Sequence, residues 1–313
     1  MALKPEQGLL KILVCDDDPA DRKLVRTYLR RITDREVVLL EAGEKGEIRE
    51  ALGRGRIDLV LMDVEMPEKS GMEWLEEIVE KELAPVVIMT GAGSEEVAVE
   101  ALQGGAAGYL PKARLSKDSE DKVVETIDGA LGRWRRTQQS KANLEQLERL
   151  ANFDSLTGLH NRGAILRKLG EQINHAKRYE EALSLSLLDI DHFKKVNDRY
   201  GHLIGDEVLE RVARLVGRDI RIADDAGRYG GEEFIIVFAE TDLSGAVIVA
   251  ERIRNIIEAV EMRGSDGNVF GITVSQGISS YKPGDDKEAL ISRADEALYR
   301  AKENGRNRVE MSA

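Results

Sequence analysis

Four aspartates, a threonine and a lysine stand where one fold would gather them. Asp16, Asp17 and Asp18 close a short apolar run, and Asp63 closes another. Thr90 ends a third run and Lys112 follows a fourth. If these runs are adjacent parallel strands, all six side chains face one sheet edge. Clustered carboxylates repel unless a divalent cation lies among them, and hard oxygen ligands suit Mg²⁺. With a hydroxyl and an ammonium beside them, the chemistry is phosphoryl transfer to a carboxylate. Metal and lysine would neutralise the equatorial oxygens while Asp63 attacks.

A second group lies in the C-terminal half. The apolar run 183–188 ends in Asp189-Ile190-Asp191, and Arg228-Tyr229-Gly230-Gly231-Glu232-Glu233-Phe234 sets two glycines between strand-like flanks. Gly-Gly there signals a hairpin in which both residues can take positive φ. Two acidic residues at its tip cost stability unless something cationic binds. With the hairpin beside the Asp189 strand, Asp189 and Glu232 could clamp Mg²⁺ against a nucleotide triphosphate. Asn197 and Asp206 follow Asp189 by 8 and 17 residues, on either side of a Gly-His turn. A carboxylate accepts from guanine N1–H and its exocyclic amine but faces a lone pair in adenine, so this pair would select guanine. A helix-starting role for Asp206 stays open beside that reading.

The elements that must position these groups are legible as pattern. Residues 10–15, 37–40, 57–62, 86–90 and 108–110 read as strands, and 20–31, 71–81 and 95–104 as helices between them. The alternation predicts an α/β domain over 1–117, a doubly wound five-stranded parallel sheet with ligands outside the carboxyl strand ends. Residues 118–150 lack proline and read as one long helix. A partial heptad seam, Ile127, Ala130, Trp134, Thr137, Lys141 and Leu144, suggests a coiled-coil stalk, and a surface helix packed on its own domain fits equally. Over 151–313 the pattern is α+β, with strands at 183–190, 234–238 and 272–278 and helices at 205–216, 246–257 and 286–303.

The composition narrows the classes. A net charge of −12 disfavours nucleic acid polymers and anionic membranes as partners, while local cations or a metal could still hold a nucleotide. No apolar run approaches the roughly 18 residues of a membrane span. The first apolar stretch runs into three aspartates, unlike a signal peptide, and Cys15 is the lone cysteine, so a reducing, cytoplasmic setting is expected. His160, His175, His192 and His202 lack zinc-ligand spacing.

The motifs ILVCDDDP, LMDVEMPEKSG, VVIMTG and YLPK resemble the receiver domain of two-component response regulators over about 10–115. The resemblance implies a histidine kinase as phosphoryl donor, Asp63 as phosphoacceptor, and one Mg²⁺ on Asp16, Asp17 and Asp63. Thr90 and Lys112 would contact the phosphoryl group, with Tyr109 as the aromatic switch. Ala113 follows Lys112 where that family usually has a cis-proline.

DSLTGLHNR, LLDIDHFKKVNDRYGHLIGDEVL, RYGGEEF, VSQGI and ADEALYRAKENGRNRV resemble the GGDEF diguanylate cyclases, with Glu232 in place of the commoner aspartate. That likeness implies condensation of two GTP to cyclic di-GMP and pyrophosphate by a symmetric homodimer. Asp189, the Ile190 carbonyl and Glu232 would hold two Mg²⁺ per half-site. Glu232 would be the base and Glu233 its assistant. Backbone amides at His192 and Phe193, with Lys194, Lys302 and Arg306, would bind phosphates, and Asn197 and Asp206 would read guanine. Arg221 and Asp224, an RxxD six residues before Gly230, resemble with Arg252 the inhibitory product site. The rivals are a silent domain acting as a cyclic di-GMP effector and a cyclase using ATP.

Overall fold

A computed structural model describes residues 9–32, 36–91, 95–115, 120–265 and 267–312. It divides into two compact units, Met1–Asn143 and Leu144–Ala313. The expected domain boundary at 117/118 lies outside the described residues.

In the first unit five strands, β1 (Leu10–Cys15), β2 (Val37–Ala42), β3 (Leu59–Asp63), β4 (Val86–Thr90) and β5 (Gly108–Pro111), form a sheet in the order β2-β1-β3-β4-β5. Every pairing is parallel, as the alternation predicts. The central strands are apolar on both faces because helices cover both. These helices are α1 (Pro19–Ile32), α2 (Lys45–Gly53), α3 (Gly71–Glu80), α4 (Glu95–Gln103) and the start of α5 (Glu120–Asn152). Helix α2 escaped the sequence reading: its nine residues bury only Ile48, so its apolar periodicity is faint. Helix α3 begins at a capping box, Ser70 accepting from Glu73 N while Glu73 accepts from Ser70 N.

The long helix is present, but its proposed seam is not continuous. Ile127 and Ala130 are buried in the first unit's core with Val123 and Leu131, so the first seam positions are used there. Over that stretch the surface-helix reading holds. Leu144, Leu147 and Leu150, at spacing three, are more than half exposed.

The second unit adds α6 (Arg162–Tyr179), β6 (Leu183–Ile190), α7 (Phe193–Tyr200), α8 (His202–Asp219), β7 (Asp225–Arg228), β8 (Glu233–Ala239), α9 (Leu243–Glu258), β9 (Glu261–Arg263), β10 (Val269–Gly271), β11 (Val274–Ser280), α10 (Lys287–Glu303) and β12 (Val309–Met311). The main sheet runs β12-β11-β6-β8-β7 and is mixed, parallel only between β11 and β12. Strand β6 is buried along its whole length. Its serines are satisfied locally: Ser186 donates to Gln276 Oε1 at 3.0 Å, and Gln276 donates to Ala250 O at 2.8 Å. The close approach of α10 to β11 needs Gly277, where a Cβ would meet Ala294 O at 2.1 Å.

Candidate functional site

Strand adjacency does for the first group what the spacing implied. Cys15 pairs with Met62 across β1 and β3, and Asp63 with Met89 across β3 and β4. Asp16, Asp17 and Asp63 each offer an oxygen, all within 4.8 Å of one another, a hard-oxygen set that fits Mg²⁺. Lys112 Nζ lies 2.7 Å from Asp16 Oδ2, 2.6 Å from Asp21 Oδ2 and 3.2 Å from Asp63 Oδ2. Asp21, in the first turn of α1, is a lysine partner that sequence reasoning missed; its only signal was being four residues after Asp17 at a helix start. No cis peptide bond occurs among the described residues, so Lys112–Ala113 is trans, and three carboxylates fix the ammonium. Asp18 is not part of that set: its carboxylate accepts from Ala20 N, and its own N–H donates to Asp16 Oδ1 at 3.0 Å. Thr90 is buried at the end of β4, and the Tyr109 hydroxyl is buried without a hydrogen-bond partner among the described residues.

Burial pushes the Asp63 carboxyl up to about 6, against the pull of Lys112, with Asp16 adding to the rise. Burial likewise raises Asp16. A carboxyl raised in the fold stabilises most when protonated, and that contribution is lost as pH climbs through about 6. Asp63→Asn should therefore stabilise the metal-free protein by about 1–3 kcal/mol at pH 7.5, with the gain vanishing near pH 4. Mg²⁺ should then stabilise the wild type and not the variant. Calorimetry across pH in chelator and in Mg²⁺ checks both statements.

In the second unit, β6 and β8 set Asp189 opposite Glu233, and Ile190 N donates to Glu232 O at 3.3 Å. The hairpin tip therefore lies beside the Asp189 strand end. Burial raises both carboxyls; Asp189's charge further raises Glu232, and Lys302 opposes the rise at each. Lys302 Nζ sits 2.8 Å from Asp189 Oδ2. A buried carboxylate whose charge raises its neighbour's fits a divalent cation, which would relieve the repulsion.

The hairpin is not the two-residue turn expected of Gly-Gly, and neither Gly230 nor Gly231 has positive φ. A four-residue connection is closed instead by Tyr229 N to Glu233 O at 2.8 Å. Arg228, which the sequence reading left without a role, donates to Gly230 O and Gly231 O and pairs with Asp154 at 3.3 Å. The glycines serve by leaving room. A Cβ on Gly231 would meet nothing within 4 Å, leaving that face open to a ligand, whereas one on Gly230 would press on Glu233.

Residues 151–308, half of the chain, match the family model described as diguanylate cyclase, GGDEF domain. The chain belongs to the GGDEF diguanylate cyclase family. Residues 12–123 match the response regulator receiver domain. Response regulator PleD of Caulobacter vibrioides is 33% identical over 304 residues, covering 96% of this chain; the chain spans 65% of that relative's length. Diguanylate cyclase A of Treponema denticola is 42% identical over 54% of this chain and 47% of its own. Among solved structures, the coiled coil and GGDEF domain of DgcB from Caulobacter crescentus, in complex with c-di-GMP, is 34% identical. It covers 60% of this chain and 100% of its own, with a TM-score of 0.56.

In this GGDEF domain, α7 and α8 meet at Gly201, whose φ of 88° turns the chain sharply. That turn lays the half-buried Asn197 against Gly205: a Cβ there would sit 1.9 Å from Asn197 Oδ1. Asp206, the next residue, is exposed in the first turns of α8, inside the helix and not at its cap. His192 holds φ 58° ahead of α7; Phe193 is buried and Lys194 exposed at the helix start. Arg306 is exposed after α10.

The RxxD segment is a turn. Asp224 is buried, its carboxylate accepting Arg221 N at 3.0 Å and Ala239 N at 3.2 Å, while Arg221 is exposed. Arg252 pairs with Asp219 at 2.6 Å. His160 stacks on Phe153 with ring centroids 5.0 Å apart and lies 3.4 Å from Asp225, His175 lies 3.1 Å from Glu181, and His202 is exposed at the start of α8.

Proposed function

We propose that this protein is a response-regulator diguanylate cyclase, condensing two GTP to cyclic di-GMP with release of two pyrophosphates. The observation that carries the reading is the β6–β8 register, which brings Asp189 and Glu232 together beside Lys302. Asp189, the Ile190 carbonyl and Glu232 would hold Mg²⁺, which would supply charge neutralisation at the triphosphate. Lys302, now on Asp189, would turn to the phosphates with Lys194, Arg306 and the amides at His192 and Phe193. Asn197 and Asp206 would orient guanine. Glu232, raised by burial and by Asp189, is suited to take the proton from the attacking 3′-hydroxyl, with Glu233 beside it. That oxygen bonds the α-phosphorus of the second GTP, and pyrophosphate leaves.

One domain holds one GTP, so the reading requires a symmetric pair of chains. The exposed Leu144, Leu147 and Leu150 of α5 support pairing through that helix. Phosphorylation of Asp63 by a histidine kinase regulates the pair, Lys112, Thr90 and Tyr109 responding to the phosphoryl group. Product feedback acts through Arg221, Asp224 and Arg252.

The test is to incubate the purified chain with GTP and Mg²⁺, with and without beryllofluoride, and separate the nucleotides. Cyclic di-GMP and pyrophosphate are expected, faster with beryllofluoride, and ATP should not substitute. GTP recovered intact by a chain that still binds cyclic di-GMP would establish the effector reading instead.

A further inference from the structure

Three successive residues after α10 hold positive φ: 112° at Gly305, 63° at Arg306 and 48° at Asn307. Only the first is glycine, so the other two stand in a region that L side chains avoid and that surrounding contacts must over-determine. Those contacts converge on Asn307. Its N–H donates to Asp191 Oδ2 at 3.0 Å. Its side chain accepts from Arg254 Nη1 at 2.8 Å and donates to Glu258 Oε1 at 2.7 Å, both on α9.

Asp191 is itself immobilised. It is 6% exposed, and it also accepts from Thr273 Oγ1 and Ser275 Oγ, each at 2.7 Å. All three donors are neutral, so this carboxylate is committed to hydrogen bonds within the fold and not to a metal. It stands two residues beyond Asp189, at the strand end where the triphosphate is expected. Clamping the next residue leaves Arg306 exposed with its charge acting on the Asp189 carboxyl.

We propose that Asp191 and Asn307 are positioning residues that aim Arg306 at the triphosphate of the bound nucleotide. The proposal rests on the nucleotide-site reading above and deepens it. Neither residue touches substrate; each acts through the Arg306 guanidinium, whose forked donors suit phosphate only when correctly oriented.

The experiment measures affinity of the full chain for a non-hydrolysable GTP analogue in Mg²⁺ by calorimetry, with GTP turnover assayed in parallel. Asn307→Ala is expected to raise Kd and KM about tenfold while kcat falls less than about threefold. Arg306→Ala should do the same. The double variant should be no worse than Arg306→Ala alone, because the two changes remove one interaction. Asp191→Asn should follow Asn307→Ala; should it not fold, the Asn307–Arg306 cycle decides alone. Wild-type affinity in Asn307→Ala, or losses that add in the double variant, would overturn the proposal. A wild type that binds the analogue but makes no product sinks the cyclase reading and leaves this comparison standing. One that binds no analogue sinks both.

Discussion

Replacing Glu232 with glutamine is expected to lower cyclic di-GMP synthesis by at least about a thousandfold, the scale lost when a preorganised charge at a reacting centre is removed. Glutamine keeps the shape of the hairpin tip and removes the negative charge and the proton-accepting oxygen together. The fold should not suffer. Glu232 has a carboxyl raised by burial and by Asp189, so its ionised form works against folding at neutral pH. That penalty disappears below the ordinary carboxylate range and is present above the raised value. Thermal stability in chelator should therefore be unchanged or higher in Glu232→Gln at pH 7.5, with no gain near pH 4. Asp189 keeps Lys302 at 2.8 Å in the variant, so a general collapse of the strand end is not expected. Activity lost without stability lost marks a group placed for chemistry. Turnover within tenfold of wild type would remove Glu232 from both of its proposed roles.

What could be read from the sequence, and what could not, divides along physical lines. The parallel sheet of the first unit was legible because its strands are short, mainly apolar runs, and β1 and β4 begin and end where the runs do. The aspartate cluster was legible because every member closes a strand. Asp21 was not, since its part depends on where Lys112 reaches across 91 residues of chain. The Gly-Gly signal located the hairpin correctly and mistook its turn, because Arg228 on the adjacent strand holds the carbonyls that a tight turn would have used otherwise. The helical seam failed at Ile127 and Ala130 for a related reason: helical periodicity shows that a face is buried, not what buries it. The spacing of Asn197 and Asp206 could be read from the sequence, but the packing of Asn197 on Gly205, where a missing side chain leaves room for its amide, appears only as contact geometry.

Gly71→Ala should be the most damaging single-methyl substitution in the first unit. The chain leaves β3 at Asp63, passes out through residues 64–70, and returns so closely that Gly71 N donates to Val64 O at 2.9 Å. A Cβ at Gly71 would lie 1.9 Å from Asp63 O, 2.8 Å from Asp63 C and 3.0 Å from Val64 Cα. All three are backbone atoms, so no rotamer change relieves the overlap, and either α3 or the end of β3 must move. The cost should be about 3 kcal/mol, at the upper end for overpacking. The displacement falls on the carbonyl of the proposed phosphoacceptor, so beryllofluoride should lose its stabilising effect as well. Ser70→Ala separates the two consequences. It removes the cap of α3 at about 1 kcal/mol but leaves the Gly71–Asp63 contact intact, and beryllofluoride should still stabilise it. Urea unfolding followed through the buried Trp74 reports on this unit. A Gly71→Ala protein as stable as Ser70→Ala and still stabilised by beryllofluoride would show that the loop yields, and that Asp63 is not held by this close return of the chain.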